Sequence, residues 1–77
     1  MGGEKLPVLT ARELLSILKR LAFEPFHQRG SHLTLKRVID NRRVTIPIHA
    51  GRTLKKGLLL GILKDIGLTV HEFNRLR

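Results

Sequence analysis

Hydrophobic residues recur at intervals of three and four positions in two stretches of the chain, and this spacing predicts two amphipathic helices. The first apolar stripe consists of Leu14, Ile17, Leu18 and Leu21 and predicts a helix over about residues 11–21. The second stripe consists of Leu58, Leu59, Ile62, Leu63 and Ile66. Gly67 follows the second stripe, at the position where a glycine commonly ends a helix.

Two T-x-x-E segments mark helix starts. Thr10 with Glu13, and Thr69 with Glu72, have the spacing of a capping box, in which each side chain hydrogen-bonds the other residue's backbone N–H. The first box lies directly before the first stripe. The second follows Gly67 and predicts a short helix at the C-terminal end.

Between the two stripes the apolar pattern changes to alternation, which predicts strands. Pro25 excludes a helix from FEPFHQ and favours an edge strand there. The apolar positions of the next two segments are Leu33 and Leu35 in SHLTLKRVI, then Val44, Ile46 and Ile48 in RRVTIPIH. Asp40 and Asn41 are suitable turn residues between them. We therefore predict an α+β fold of order α-β-β-β-α, with a three-stranded antiparallel sheet, helices on one face and a short C-terminal helix.

The same alternation predicts which side chains face each other across the sheet. An even connection at Asp40 and Asn41, with Ile39 facing Arg42, sets His32 opposite His49. A turn at residues 29–30 sets His27 opposite His32 and puts Phe26 on the apolar side, opposite Leu33. The sequence therefore predicts a row of three histidines on the face that points away from the helices.

The charge of the chain narrows the class of partner. Fifteen Lys and Arg residues oppose six Asp and Glu residues, so the 77-residue chain has a net charge of +9. Such a field attracts polyanions, most commonly nucleic acid, although an acidic protein or an anionic membrane surface would also be attracted. Three Phe and no Tyr or Trp argue against a single-strand binder that stacks bases on aromatic side chains, and favour contact of Lys and Arg with the nucleic-acid backbone.

Other classes of protein are excluded or disfavoured by composition. The chain has no cysteine, so it forms neither a disulfide nor a thiolate metal site. Its N-terminal residues MGGEKLP do not form a signal peptide, and its longest apolar run is too short to cross a membrane. We expect one cytoplasmic domain over residues 1–77, with residues 1–8 flexible and no membrane partner.

Three interpretations of the histidine row remain open: a solvated sheet face, a metal site, or acid–base chemistry on a phosphodiester. A metal is disfavoured because no carboxylate accompanies the row and Arg29, Lys36 and Arg43 crowd it with positive charge. The same charge favours a phosphate, and histidine exchanges protons near neutral pH. RNA supplies its own nucleophile, the 2′-hydroxyl, so this chemistry needs no metal and no cofactor.

Three short motifs occur together in this chain. They are G-S-H at residues 30–32, P-x-H-x-G at residues 47–51, and L-K-K-G at residues 54–57 leading into Ile62 and Leu63. With these motifs, residues 6–73 resemble the HicA family of toxins, also called YcfA-like proteins. The resemblance implies a fold like that of double-stranded-RNA-binding domains. It also implies a metal-independent endoribonuclease that cleaves mRNA, as the toxin of a type II toxin–antitoxin pair neutralised by a HicB-like antitoxin.

The resemblance also suggests residue roles. The essential histidine of the family falls on His32, and we add His49 as an assisting residue. The predicted RNA-binding residues are Arg29, Gly30, Ser31, Lys36, Arg43, Lys55 and Lys56. Leu60 and Gly61 stand where the family often has a polar or basic residue, which suggests a partner or homodimer surface. The alternatives are a non-catalytic binder of structured RNA with the same fold and a domain that binds only protein.

Overall fold

The computed structural model describes residues 4–77 of the chain. Part of the lead-in that was predicted to be flexible, residues 1–3, lies outside the described residues. The elements are α1 (Ala11–Arg20), β1 (Glu24–Arg29), β2 (His32–Arg37), β3 (Arg42–Pro47), α2 (Lys56–Ile66) and α3 (Val70–Leu76). The strands form one antiparallel sheet in the order β1-β2-β3. The predicted α+β class and element order are therefore confirmed. None of the helices described is long and apolar enough to cross a membrane.

The helix starts differ in how their backbone N–H groups are satisfied. Both predicted capping boxes are formed: Glu13 N donates to Thr10 Oγ1 at 3.2 Å, and Glu72 N donates to Thr69 Oγ1 at 3.1 Å. Helix α2 starts after Lys55 with no side-chain cap from residues 4–77, and it ends at Gly67 in the left-handed conformation, with φ 77°. The first turn of α2 therefore has backbone N–H groups that no capping side chain occupies.

The hydrophobic core lies between the helices and one face of the sheet. The side chains that are almost fully buried are Leu14 and Leu18 from α1, Leu35, Val44 and Ile46 from the sheet, Leu59 and Leu63 from α2, and Phe23 and Phe73. Leu58, which was predicted to share the buried stripe of α2, is 39% exposed. Leu59 and Ile62 lie on the buried side of the first turns of α2, and Leu58 lies at the edge of that stripe. Leu60 is 42% exposed, and its role as a partner surface stays a prediction.

The connection between β2 and β3 sets their register. Arg37 pairs with Arg42, so residues 38–41 form a four-residue connection, in which Asn41 has a positive φ of 57°. Leu33 therefore lies opposite Ile46, and His32 lies opposite Pro47 rather than His49. The predicted pairing of β2 with β3 is wrong by two residues, because Ile39 opposite Arg42 requires a two-residue connection and the connection has four. The faces are as predicted, because a shift of two residues preserves the alternation.

The β1–β2 hairpin differs from the prediction in its turn and in one bulge. The turn consists of Gly30 and Ser31, and the φ of 59° at Gly30 is one that glycine adopts readily. The register shifts between Pro25 and His27, which is a β-bulge. The predicted pairing of Phe26 with Leu33 is wrong: Phe26 is 54% exposed, and Phe23, just before β1, is fully buried instead. The bulge inserts a residue into the alternation and so changes the face that Phe26 occupies.

An ion-pair network ties the β2–β3 turn to both long helices. Arg37 donates to both carboxylate oxygens of Asp40, at 3.0 and 2.8 Å, and to the Leu21 carbonyl at 3.2 Å. Arg42 approaches Asp40 at 3.2 Å and donates to the Asp65 carbonyl at the end of α2. The hydrogen bonds from Arg37 lower the pKa of Asp40 to about 2. Arg37 and Arg42 are thus held in structural contacts.

We expect Asp40→Asn to reduce the free energy of unfolding at neutral pH, with the difference from wild type disappearing as the solution is acidified. The pKa of Asp40 is lowered in the folded protein from 3.8 to about 2. Its contribution to stability is therefore present above about pH 4 and is lost as the pH falls toward 2. Urea unfolding of both proteins at pH 7, 4 and 2.5 measures this convergence. A difference that stays constant over that range would contradict it.

Candidate nucleic-acid interface

No helix within residues 4–77 covers one face of the sheet, which we call the open face. The register assigns to it His27 and Arg29 from β1, His32, Thr34 and Lys36 from β2, and Arg43 and Thr45 from β3, and the Phe26 ring lies there as well. In its centre the hydroxyls of Thr34 and Thr45 are 2.8 Å apart and hydrogen-bonded. Glu24, opposite Lys36, is the acidic residue at its edge. The open face is therefore polar and mostly basic.

His32 is the first residue of β2 and is exposed on the open face. Its neighbours across the sheet are Arg29 in β1 and Pro47 in β3. The tight turn at Gly30 places Arg29 and His32 side by side, and Gln28 Nε2 donates to the Gly30 carbonyl at 3.1 Å. An exposed imidazole beside a guanidinium can transfer a proton to or from a hydroxyl next to a bound phosphodiester, while the cation attracts the phosphate oxygens.

The other histidines do not form the predicted row with His32. His27 lies on the open face, but it pairs with Thr34 in the centre of that face rather than with His32. His49 lies beyond the end of β3. His71 is on α3, where its ring contacts the carboxylate of Glu4. The prediction of a three-histidine row is wrong because the register of each hairpin differs by two residues from the register that was assumed.

His49 lies instead in the connection that leads to α2. It lines a cavity of about 270 Å³ together with Pro47, Arg52 and Lys55. The loop is fixed by a hydrogen bond from Arg52 N to the His49 carbonyl at 3.2 Å and by one from Leu54 N to the Leu9 carbonyl at 2.7 Å. The structure thus brings His49 and Lys55 together at the uncapped start of α2. Pro47 lines the same cavity and lies opposite His32 in the sheet, so the cavity adjoins the end of the open face.

Lys56 is not part of that cavity. It lines a separate groove with the lead-in residues Lys5 and Val8 and with Leu60 of α2. Of the two neighbouring lysines that were predicted to bind RNA, the structure therefore places Lys55 near His49 and Lys56 toward the N-terminal segment.

Phe26 is the residue of the open face that sequence reasoning missed. Its ring centroid lies 5.3 Å from Lys36 Nζ and 5.0 Å from Arg43 Cζ. Lys36 and Arg43 are a directly opposed pair of like charges, an arrangement that by itself destabilises a sheet. Pro25 was the feature of the sequence that could have indicated this position of Phe26, because a proline within a strand is confined to an edge or a bulge. A bulge at Pro25 would have turned Phe26 to the open face.

Within residues 4–77, no group of three or more His, Cys, Asp or Glu side chains is arranged to hold a metal ion. The titratable groups of the open face are histidines, one carboxylate at the edge, and cations. Their chemistry is proton transfer and attraction of anions.

The fold and the open face define a small basic α+β domain with an exposed histidine at a glycine turn. The model of the family described as "HicA toxin of bacterial toxin-antitoxin" matches residues 11–68, from the start of α1 to just past the end of α2. The chain therefore belongs to the HicA toxin family, and it is a toxin of a bacterial toxin–antitoxin system. A search of curated proteins found no match.

Proposed function

We propose that this toxin is an endoribonuclease that cleaves mRNA, with His32 transferring protons at the scissile phosphate. HicA toxins are generally mRNA interferases, which supports the class of reaction. The observation that carries the assignment to this site is the position of His32: exposed, first in β2, and directly opposite Arg29 on a basic sheet face.

The reaction that suits these groups is transesterification within the RNA. A base removes the proton of a ribose 2′-hydroxyl, whose oxygen then attacks the adjacent phosphorus. The bond from phosphorus to the 5′-oxygen breaks, and an acid gives that oxygen a proton. The products are a 2′,3′-cyclic phosphate and a 5′-hydroxyl. His32 performs one of the two proton transfers, His49 assists, and the Arg29 guanidinium stabilises the charge on the phosphate oxygens.

The RNA backbone is bound, in this proposal, by the predicted set Arg29, Gly30, Ser31, Lys36, Arg43, Lys55 and Lys56. The position of Arg29, Lys36 and Arg43 on the open face supports this assignment. Gly30 and Ser31 form the turn directly before His32, so their backbone lies next to that histidine. Lys55 adds charge at the uncapped N-terminus of α2, and the support for Lys56 is limited to its charge.

We further propose a HicB-like antitoxin as the neutralising partner. Membership of the family implies a cognate antitoxin. A partner that covers the open face would block His32 and Arg29 together, and the net charge of +9 favours an acidic surface on that partner.

Incubation of the purified protein with RNA in EDTA tests the proposed activity. We expect cleavage that leaves 2′,3′-cyclic phosphate and 5′-hydroxyl ends, and no cleavage where the nucleotide before the scissile bond is 2′-deoxy. Binding without cleavage would instead identify a non-catalytic binder of structured RNA. Cleavage only after Mg²⁺ is added would disprove the metal-independent route. No binding to any RNA would favour a domain that binds only protein.

A further inference from the structure

Phe26 is exposed in a protein that buries its other phenylalanines. Phe23 and Phe73 are fully buried, whereas Phe26 is 54% exposed. The bulge between Pro25 and His27 turns its ring to the open face, away from the core that an unbroken strand would have offered it. The backbone therefore presents an apolar ring on a surface that is otherwise polar.

Two cations converge on this ring. Lys36 and Arg43 are opposed across β2 and β3, and both lie over Phe26, with distances to the ring centroid of 5.3 and 5.0 Å. Contact with the ring offsets part of the repulsion between them. The two positive charges are nevertheless concentrated around one flat, exposed, apolar surface. Neither charge has a carboxylate partner among the ion pairs of residues 4–77.

The low aromatic content argues against a broad stacking surface, but one flat ring beside two cations matches the chemistry of a single nucleotide, which combines the π-face of a base with a negative phosphate. The base must be unpaired, because the bases of a duplex are already stacked on each other and present only their edges. An acidic peptide would satisfy the cations but would leave the exposed ring without a partner.

The position of this group relative to His32 is fixed by β2. Lys36 is four residues along the same strand and on the same face, which corresponds to roughly 13 Å at about 3.3 Å per residue. A single strand of RNA that passes His32 can therefore follow the open face to Phe26.

We propose that Phe26, Lys36 and Arg43 form a binding site for an unpaired nucleotide, which holds a single-stranded segment of the substrate beside His32. This inference rests on the proposed function for its substrate, an RNA, but the binding itself requires no cleavage. The site gives the toxin a preference for single-stranded over duplex RNA.

The test compares Phe26→Leu with Phe26→Tyr in the full chain. The probes are a short 2′-O-methyl RNA, which cannot be cleaved by its own 2′-oxygen, and the same strand in a duplex. We expect Phe26→Leu to weaken single-strand binding by about 5- to 150-fold, the range found when a base loses an aromatic stacking partner, and to change duplex binding little. Phe26→Tyr keeps the ring and should bind like wild type.

A fluorescence measurement distinguishes stacking of a base on the ring from a contact that depends only on side-chain size. A 2-aminopurine base in the single strand should lose fluorescence on binding to wild type and to Phe26→Tyr, but not to Phe26→Leu. Ile39→Ala is the matched control, because Ile39 is 88% exposed and lies on the β2–β3 turn, outside the open face. It should leave both affinities unchanged.

Equal single-strand binding by wild type and Phe26→Leu would overturn the proposal, as would an equal loss for single strand and duplex. Unchanged RNA binding with weaker binding of an antitoxin would also overturn it and would identify the ring as a protein contact. Failure of the nuclease proposal is distinguishable, because a wild type that never cleaves RNA can still show the loss of binding on Phe26→Leu.

Discussion

His32→Ala is expected to slow RNA cleavage by about 10²- to 10⁴-fold, the range that loss of a general acid or base produces. The same substitution should leave the fold intact. His32 is exposed and contributes nothing to the core, and substitutions at such positions usually change the free energy of unfolding by less than about 0.5 kcal/mol. Cleavage rates at saturating RNA, measured beside urea unfolding curves, separate the two effects.

The other histidines supply the controls. His71 lies on α3, away from the open face, so the His71→Ala protein should cleave RNA like wild type. His27→Ala removes an imidazole from the open face at a different cross-strand position, so it tests whether any histidine on that face suffices. His49→Ala should show a smaller loss if His49 assists. A His32→Ala protein that cleaves at the wild-type rate would disprove the site assignment.

Phe23→Ala is expected to lower the free energy of unfolding by about 3–5 kcal/mol. The ring of Phe23 is fully buried, and the guanidinium of Arg37 lies 4.5 Å from its centroid. Truncation therefore opens a cavity in the core and removes a contact that holds Arg37. Small domains are stable by roughly 5–15 kcal/mol, so much of the protein's stability would be lost. Thermal and urea unfolding measure the change.

Phe26→Ala is the matched control for this prediction. It removes the same side chain three positions further along the chain, but from an exposed site. We expect a smaller loss of roughly 1–2 kcal/mol, because the half-exposed ring buries less apolar area than Phe23. Part of this loss is the contact of the ring with Lys36 and Arg43. Equal losses for Phe23→Ala and Phe26→Ala would show that the assignment of Phe23 to the core is wrong.

The sequence predicted the elements well because their signals are local. Each capping box lies within four residues, and the alternation of Leu33 with Thr34 and Leu35 needs only the pleat of one strand. The core face of the sheet followed from that alternation without any knowledge of the turns.

The sequence did not predict which side chains lie opposite each other. The alternation of apolar and polar residues determines which face of the sheet a side chain occupies, but not which residue it pairs with on the next strand. Both turns differ from expectation by an amount that keeps every β2 and β3 side chain on its predicted face. That difference nevertheless replaces His27 and His49 by Arg29 and Pro47 as the neighbours of His32. Pro25 indicates an edge strand or a bulge, but the position of the bulge at Phe26 depends on how β1 pairs with β2, which no single segment encodes.

The bulge in β1 also affects how this protein meets other chains. Both β1 and β3 are edge strands, and a regular edge exposes a row of backbone N–H and C=O groups to which another strand can add. The bulge interrupts that row in β1, and Pro25 removes one of its donors. In β3 the edge carries the charges of Arg42 and Arg43 and ends at Pro47. The feature that exposes Phe26 therefore also protects the β1 edge of the sheet against pairing with another strand.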